Sequence, residues 1–106
     1  MSDRVEINKG SGNVFVDVGL SPETLFKAEL ARQISHIIAE RNLTQSDAAN
    51  ILGIDQPKVS ALKRGKLKGF SIDRLFQYLT ALGQDVKVHI EKNESAEQAG
   101  RLTLVH

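Results

Sequence analysis

Thr44-Gln45-Ser46-Asp47-Ala48-Ala49-Asn50-Ile51-Leu52-Gly53-Ile54-Asp55-Gln56-Pro57-Lys58-Val59-Ser60-Ala61-Leu62-Lys63-Arg64 reads as two short helices with almost nothing between them. The Thr44 hydroxyl is placed to accept an N–H of the first turn. Asp47, three residues on, can answer it in a capping box with Asp where Glu is usual. Ala48, Ala49 and Leu52 then fall on one face. Gly53 stops the helix, because it takes positive φ at little cost. Asp55 caps the second helix, and Pro57 sits in its first turn, where a missing N–H is harmless. Val59 and Leu62 are the apolar residues of that helix, and Gly65 ends it. Joined only by Gly53-Ile54-Asp55, the two helices must cross steeply. Ala49 is small where they approach, and Ile54, Val59 and Leu62 close the core between them. Size, turn residue and apolar spacing together describe a helix-turn-helix.

Working outward, Ser21-Pro22-Glu23 starts an earlier helix with a cap, a proline at the first helical position and an acid at the positive end of the dipole. Leu25, Ala28, Leu30, Ala31, Ile34, Ile37 and Ile38 recur at three and four, so one face is expected to be buried as far as Arg41, with Asn42 at the end. Downstream, Ser71 caps a helix whose stripe is Ile72, Leu75, Phe76, Leu79 and Leu82, closed by Gly83. The period then changes from helical to alternating. Val86, Val88 and Ile90 interleave with Lys87, His89 and Glu91, which predicts a strand with one apolar face. A lone strand needs a partner. Three are open: the alternating Val14, Val16 and Val18, the apolar patch Leu102–Val105, or the same strand of a second chain across a two-fold axis. Residues 1–12, polar and dotted with glycine, are read as a mobile tail, residues 13–92 as the domain and residues 93–106 as a C-terminal tail.

The chain has 106 residues, 41% hydrophobic and 25% charged, which suits one globular domain and excludes a disordered or collagen-like chain. No apolar run approaches the roughly 18 residues of a spanning helix, so no membrane partner is expected. The opening Met1–Glu6 has no apolar core, so a cytoplasmic protein is expected. With no cysteine there is no disulfide, thiolate metal site or thiol nucleophile. His36, His89 and His106 lie far apart with no second ligand at metal-binding spacing. No nucleophile motif, phosphate loop or dinucleotide fingerprint is present. The expectation is a protein that is not an enzyme and needs no metal or cofactor.

The net charge of +1 hides an asymmetry. Residues 1–55 carry 5 basic and 8 acidic side chains, and residues 56–106 carry 9 and 5. Lys58, Lys63, Arg64, Lys66 and Lys68 follow one another with no acid among them. Such a run is either a solvated face or a surface for polyanions.

Leu43-Thr44-Gln45, Ala48-Ala49, Leu52-Gly53-Ile54, Gln56, Val59-Ser60, Leu62 and Arg64-Gly65 resemble, at fixed spacing and without a gap, the helix-turn-helix of the Cro and phage-repressor superfamily, the Xre type. Asn13-Val14-Phe15, Gly19-Leu20 and Gly69-Phe70-Ser71, with Leu75, Leu82-Gly83 and Val86, resemble a narrower group, the HigA-like antitoxins of toxin–antitoxin pairs. The first resemblance implies an all-α, λ-repressor-like DNA-binding domain of four or five helices followed by a C-terminal β-strand. It also implies a sequence-specific repressor that binds near-palindromic double-stranded DNA as a homodimer. The second implies an antitoxin that autoregulates its operon. The alternatives are an interaction module whose main work is to neutralise a RelE-like toxin, and a solitary Xre-type regulator.

In that superfamily the position of Gln56 reaches base edges in the major groove, where Gln pairs bidentately with adenine. Lys58 and Ser60 can reach a base or a phosphate, while Pro57 and Ala61 offer only apolar contact, for example to a thymine methyl. Thr44 and Gln45, at the start of the preceding helix, match a phosphate-contact position. Lys63, Arg64 and Lys66, with Lys68, are expected to position the protein on the phosphate backbone. Many relatives carry further polar readers where Pro57 and Ala61 stand here, so DNA shape or a partner is expected to share in the sequence preference.

Overall fold

The computed structural model of the chain describes residues 4–7, 21–95 and 99–105. In chain order these form β1 (Arg4–Ile7), α1 (Pro22–Glu40), α2 (Gln45–Leu52), α3 (Gln56–Lys63), α4 (Ile72–Ala81) and β2 (Leu102–Val105). They fall into two compact units, Leu30–Lys87 and the two ends of the chain.

The unit Leu30–Lys87 holds α1 from Leu30 onward together with α2, α3 and α4, while the first turns of α1 belong to the other unit. The 19-residue α1 starts where Ser21 Oγ accepts the Thr24 N–H at 3.1 Å. Its buried residues are Phe26, Leu30, Ala31, Ile34, Ile37 and Ile38, of which Leu30, Ile34 and Ile38 are essentially sealed from water. Earlier in the helix Leu25 is only half-buried and Ala28 is exposed, and the buried residue there is Phe26, which the periodic stripe did not include. Asn42 ends the helix at φ 55°, alone among the described non-glycine residues in the left-handed region. Asparagine reaches that conformation more readily than most side chains. The Leu43 N–H then closes onto the Ile38 carbonyl at 3.1 Å, the wrap-around bond of a left-handed helix end.

The next helix, α2, packs against both α3 and α4. Ala48, Ala49 and Leu52 face Val59 and Leu62 of α3 and the buried residues of α4 in one core. The stripe of α4 is Leu75, Tyr78 and Leu79, continued by Leu82 just beyond the helix. Ile72 and Phe76, expected in that stripe, are half-buried. Tyr78 takes their place, with its ring edge-on to Phe70 at 6.2 Å between centroids. Leu67 and Phe70, in the loop between α3 and α4, are also buried. Each sealed leucine or valine contributes about 1.5–3 kcal/mol. One long-range polar contact closes the unit: Arg41 Nη1 donates to the Leu82 carbonyl at 3.1 Å. The guanidinium thereby meets the negative end of α4.

At the chain ends, β1 and β2 form a two-stranded antiparallel ribbon, with Arg4 opposite Val105, Val5 opposite Leu104, Glu6 opposite Thr103 and Ile7 opposite Leu102. Two expectations are corrected here. Residues 4–7 form a strand where residues 1–12 were read as a tail, and the C-terminal strand is Leu102–Val105 rather than Val86–Ile90. Residues 84–93 carry no regular secondary structure, and Val88 and Ile90 stand 69% and 89% exposed. The physical reason is common to both. A strand exists only when its backbone finds a partner, and the partner of Arg4–Ile7 lies at the far end of the chain. The third candidate, Val14–Val18, falls outside the described residues. Among the described residues no helix is long and apolar enough to cross a membrane.

Candidate nucleic-acid interface

The geometry of the α2–α3 pair follows from its caps. Thr44 Oγ1 accepts the Asp47 N–H at 2.9 Å, and Asp47 Oδ2 accepts the Thr44 N–H at 3.2 Å, a closed capping box. Gly53 leaves α2 at φ 72°, and a Cβ there would meet nothing within 4 Å, so the demand for glycine is conformational rather than steric. The Ile54 N–H returns to the Ala49 carbonyl at 3.1 Å. Asp55 Oδ1 then accepts the Lys58 N–H at 3.0 Å and starts α3. Gln56 and Pro57 become its first two residues. The chain after α3 turns through Gly65 at φ 73° and Gly69 at φ 95°.

Against this frame the sequence-read residues divide. Gln56, Pro57 and Lys58 at the start of α3 are exposed, as are Lys63, Arg64, Lys66 and Lys68 at and after its end. Thr44 is exposed, but its hydroxyl is engaged in the capping box. Gln45, Ser60 and Ala61 are half-buried, less accessible than an outward face would make them. None of the five lysines and arginines from Lys58 to Lys68 forms an ion pair with a described residue. A run of unpaired cations with exposed polar side chains at a helix start is suited to a polyanion with readable edges.

Two residues were missed. A cleft of about 570 Å³ runs beside α3, lined by Asp55, Pro57, Lys58, Ala61, Lys66, Lys68, Gly69, Phe70, Arg74 and Tyr78. Arg74, on the first turn of α4, extends the basic surface onto a third element. Its backbone N–H is held by the Ser71 cap at 3.1 Å. The cap was legible, and the side chain three residues past it was the available signal. The Tyr78 hydroxyl is buried with no hydrogen-bond partner among the described residues. No local signal singles out that tyrosine. Among the described residues no group of three His, Asp or Glu side chains could hold a metal ion.

Residues 14–91 match the helix-turn-helix domain family. A solved structure assigned to the XRE family of transcriptional regulators is 44% identical, with 80% of this chain and 96% of that one covered and a TM-score of 0.75. No curated protein is detectably similar in sequence. The caps, the short α2–α3 turn and the packed faces are thus those of a recognised domain, and the chain belongs to the helix-turn-helix domain family, in its XRE-type branch.

Proposed function

We propose that the chain is a cytoplasmic, sequence-specific DNA-binding repressor that acts as a homodimer on a near-palindromic site upstream of its own gene. The observation that carries this function is the exposed, unpaired polar surface of α3 and its following loop, set on a helix whose apolar side is spent on packing. A helix enters the major groove N-terminal end first. Gln56 then meets base edges, Lys58 and Ser60 meet a base or phosphate, and Pro57 and Ala61 lie against apolar groups. The first N–H groups of α2, with Thr44 and Gln45, receive a phosphate. Lys63, Arg64, Lys66 and Lys68 neutralise neighbouring phosphates. With one amide reader, the DNA's own shape carries a larger share of the preference.

The finer role is that of an antitoxin that masks a RelE-like toxin and represses the shared operon. Its support is the likeness of residues 13–20 and 69–86 to the HigA-like group. A toxin-sized product of the adjacent gene is expected to copurify with the chain; without one, the protein is a solitary regulator.

Fluorescence anisotropy tests the DNA-binding function, with the DNA upstream of the gene set against a scrambled duplex at two salt concentrations. Tight, selective binding that weakens steeply with salt is expected, and weak binding equal on both duplexes would overturn it. Gln56→Ala should lose about 1–3 kcal/mol of discrimination at one base pair while keeping non-specific affinity. Arg64→Ala should weaken binding to every sequence and lower the salt slope by about one.

A further inference from the structure

The cleft of about 570 Å³ beside α3 lies wholly on residues of the unit Leu30–Lys87. Its size is that of a small-molecule site. Its lining is strongly cationic. Lys58, Lys66, Lys68 and Arg74 are all exposed, and none forms an ion pair with a described residue. The acid beside them, Asp55, already accepts the Lys58 N–H through Oδ1 at 3.0 Å. Four lining cations against one lining carboxylate leave three positive charges in excess.

Much of the remaining wall is apolar. Ala61 is half-buried, and Phe70 and Tyr78 are buried edge to face. Tyr78 is only 4% exposed, and its hydroxyl has no hydrogen-bond partner among the described residues. Buried polar groups are almost always paired, so this phenol is a donor available to a polar atom seated against it. The loop that carries two of the lysines is fixed in advance. The Lys66 N–H donates to the Ala61 carbonyl at 2.9 Å and the Phe70 N–H to the Leu67 carbonyl at 3.0 Å, with Leu67 buried between the lysines. A charged wall on a fixed loop gives up little freedom on binding.

These features select a ligand with two parts. A phosphate monoester, with its double charge and several acceptor oxygens, suits a set of lysines and an arginine fork. A planar body with a polar edge suits an apolar wall that holds one buried donor. We propose that the cleft is an effector site for a small phosphate monoester with a planar, hydrogen-bonding body, of the nucleoside monophosphate class, and that its occupant excludes DNA. Arg74 and the lysines hold the phosphate, and the Tyr78 hydroxyl donates to the planar body. A phosphate of the DNA backbone meets the same lysines, but paired bases leave it no planar group to set against Tyr78. Exclusion follows because Lys58, Lys66 and Lys68 serve both ligands. The exclusion rests on the DNA-binding function proposed above; the ligand site does not.

The four common nucleoside monophosphates, their nucleosides and inorganic phosphate are titrated separately into the isotope-labelled full chain without DNA, and backbone amides are followed by NMR. At least one monophosphate is expected to shift the amides of residues 66–70 and Arg74 saturably, with a Kd below about 1 mM. Its nucleoside and inorganic phosphate are each expected to bind at least about tenfold more weakly. Tyr78→Phe keeps the ring against Phe70, and Arg74→Gln keeps a polar side chain on an exposed turn. Each is expected to unfold as cooperatively as the parent and to weaken the monophosphate about tenfold. No saturable shift with any of the four, equal binding of inorganic phosphate alone, shifts spread evenly over every exposed lysine, or unchanged affinity in folded Tyr78→Phe overturns the ligand site.

The anisotropy titration separates this from the function it rests on. The monophosphate is expected to release the upstream DNA at concentrations where its nucleoside does not. Selective DNA binding that persists with the cleft saturated defeats the exclusion. Selective DNA binding in a protein that takes no monophosphate defeats the ligand site alone. A saturable cleft in a protein that does not distinguish its upstream DNA defeats the DNA-binding function alone.

Discussion

α3 and the segment Val86–Lys92 are of similar length, and each carries apolar residues at a regular spacing. One is a formed helix with Val59 and Leu62 buried; the other is irregular, with Val88 and Ile90 in water. The difference lies in where the backbone hydrogen bonds go. A helix satisfies its amides within its own segment, and its ends need only a cap, here Asp55 before and the turn at Gly65 after. A strand satisfies its amides only on another segment. Apolar alternation therefore states what a strand would bury without stating that the strand exists.

The contrast is open to attack first in the core. Leu75 is fully buried, and Leu75→Ala should cost about 2–5 kcal/mol, a large part of the roughly 5–15 kcal/mol that holds a domain. Urea unfolding followed by circular dichroism measures this, and a loss below about 1 kcal/mol would mean the helices do not share one core. Next in size is the cap. Asp55→Ala removes the acceptor of the Lys58 N–H and should cost about 1 kcal/mol. If α3 is defined locally, the same variant frays its first turn and weakens DNA binding more than its stability loss explains. The smallest effect belongs to the irregular segment. In dilute, monomeric protein Ile90→Ser should change stability by no more than about 0.5 kcal/mol. A loss above about 1 kcal/mol would show Ile90 covered within its own chain and erase the contrast.

The same division explains what was legible. Ser21, Thr44, Asp55 and Ser71 all accept the N–H three residues ahead, as their positions before apolar periodic runs implied. Gly53, Gly65 and Gly83 take positive φ at the ends they were read to close. These signals act within a few residues. Tyr78 was less legible, because a phenol in a polar stretch does not register as core until Phe70 is seen beside it. Leu67 and Phe70 sit in a loop, where no periodicity marks a buried residue. β1 was illegible for the reason given above: its partner β2 lies almost the whole chain away. At the candidate interface the cation run and Gln56 stand exposed at the positions read from sequence. The half-burial of Ser60 and Ala61 and the arrival of Arg74 depend on how three elements converge, which no single stretch encodes.

The bond from Arg41 to the Leu82 carbonyl ties the end of α1 to the end of α4. Everything from Thr44 to Arg74 that would face DNA lies on the stretch between those two points. The fold is closed at its neck, away from the residues that would read bases. Gln56, Pro57 and Lys58 can then be rewritten without touching what closes it. In the proposed DNA-binding function, an arrangement of this kind would make α2 and α3 a cassette: new operator preferences would be selected by exchanging a few exposed side chains, on a frame whose closure is independent of the message it carries.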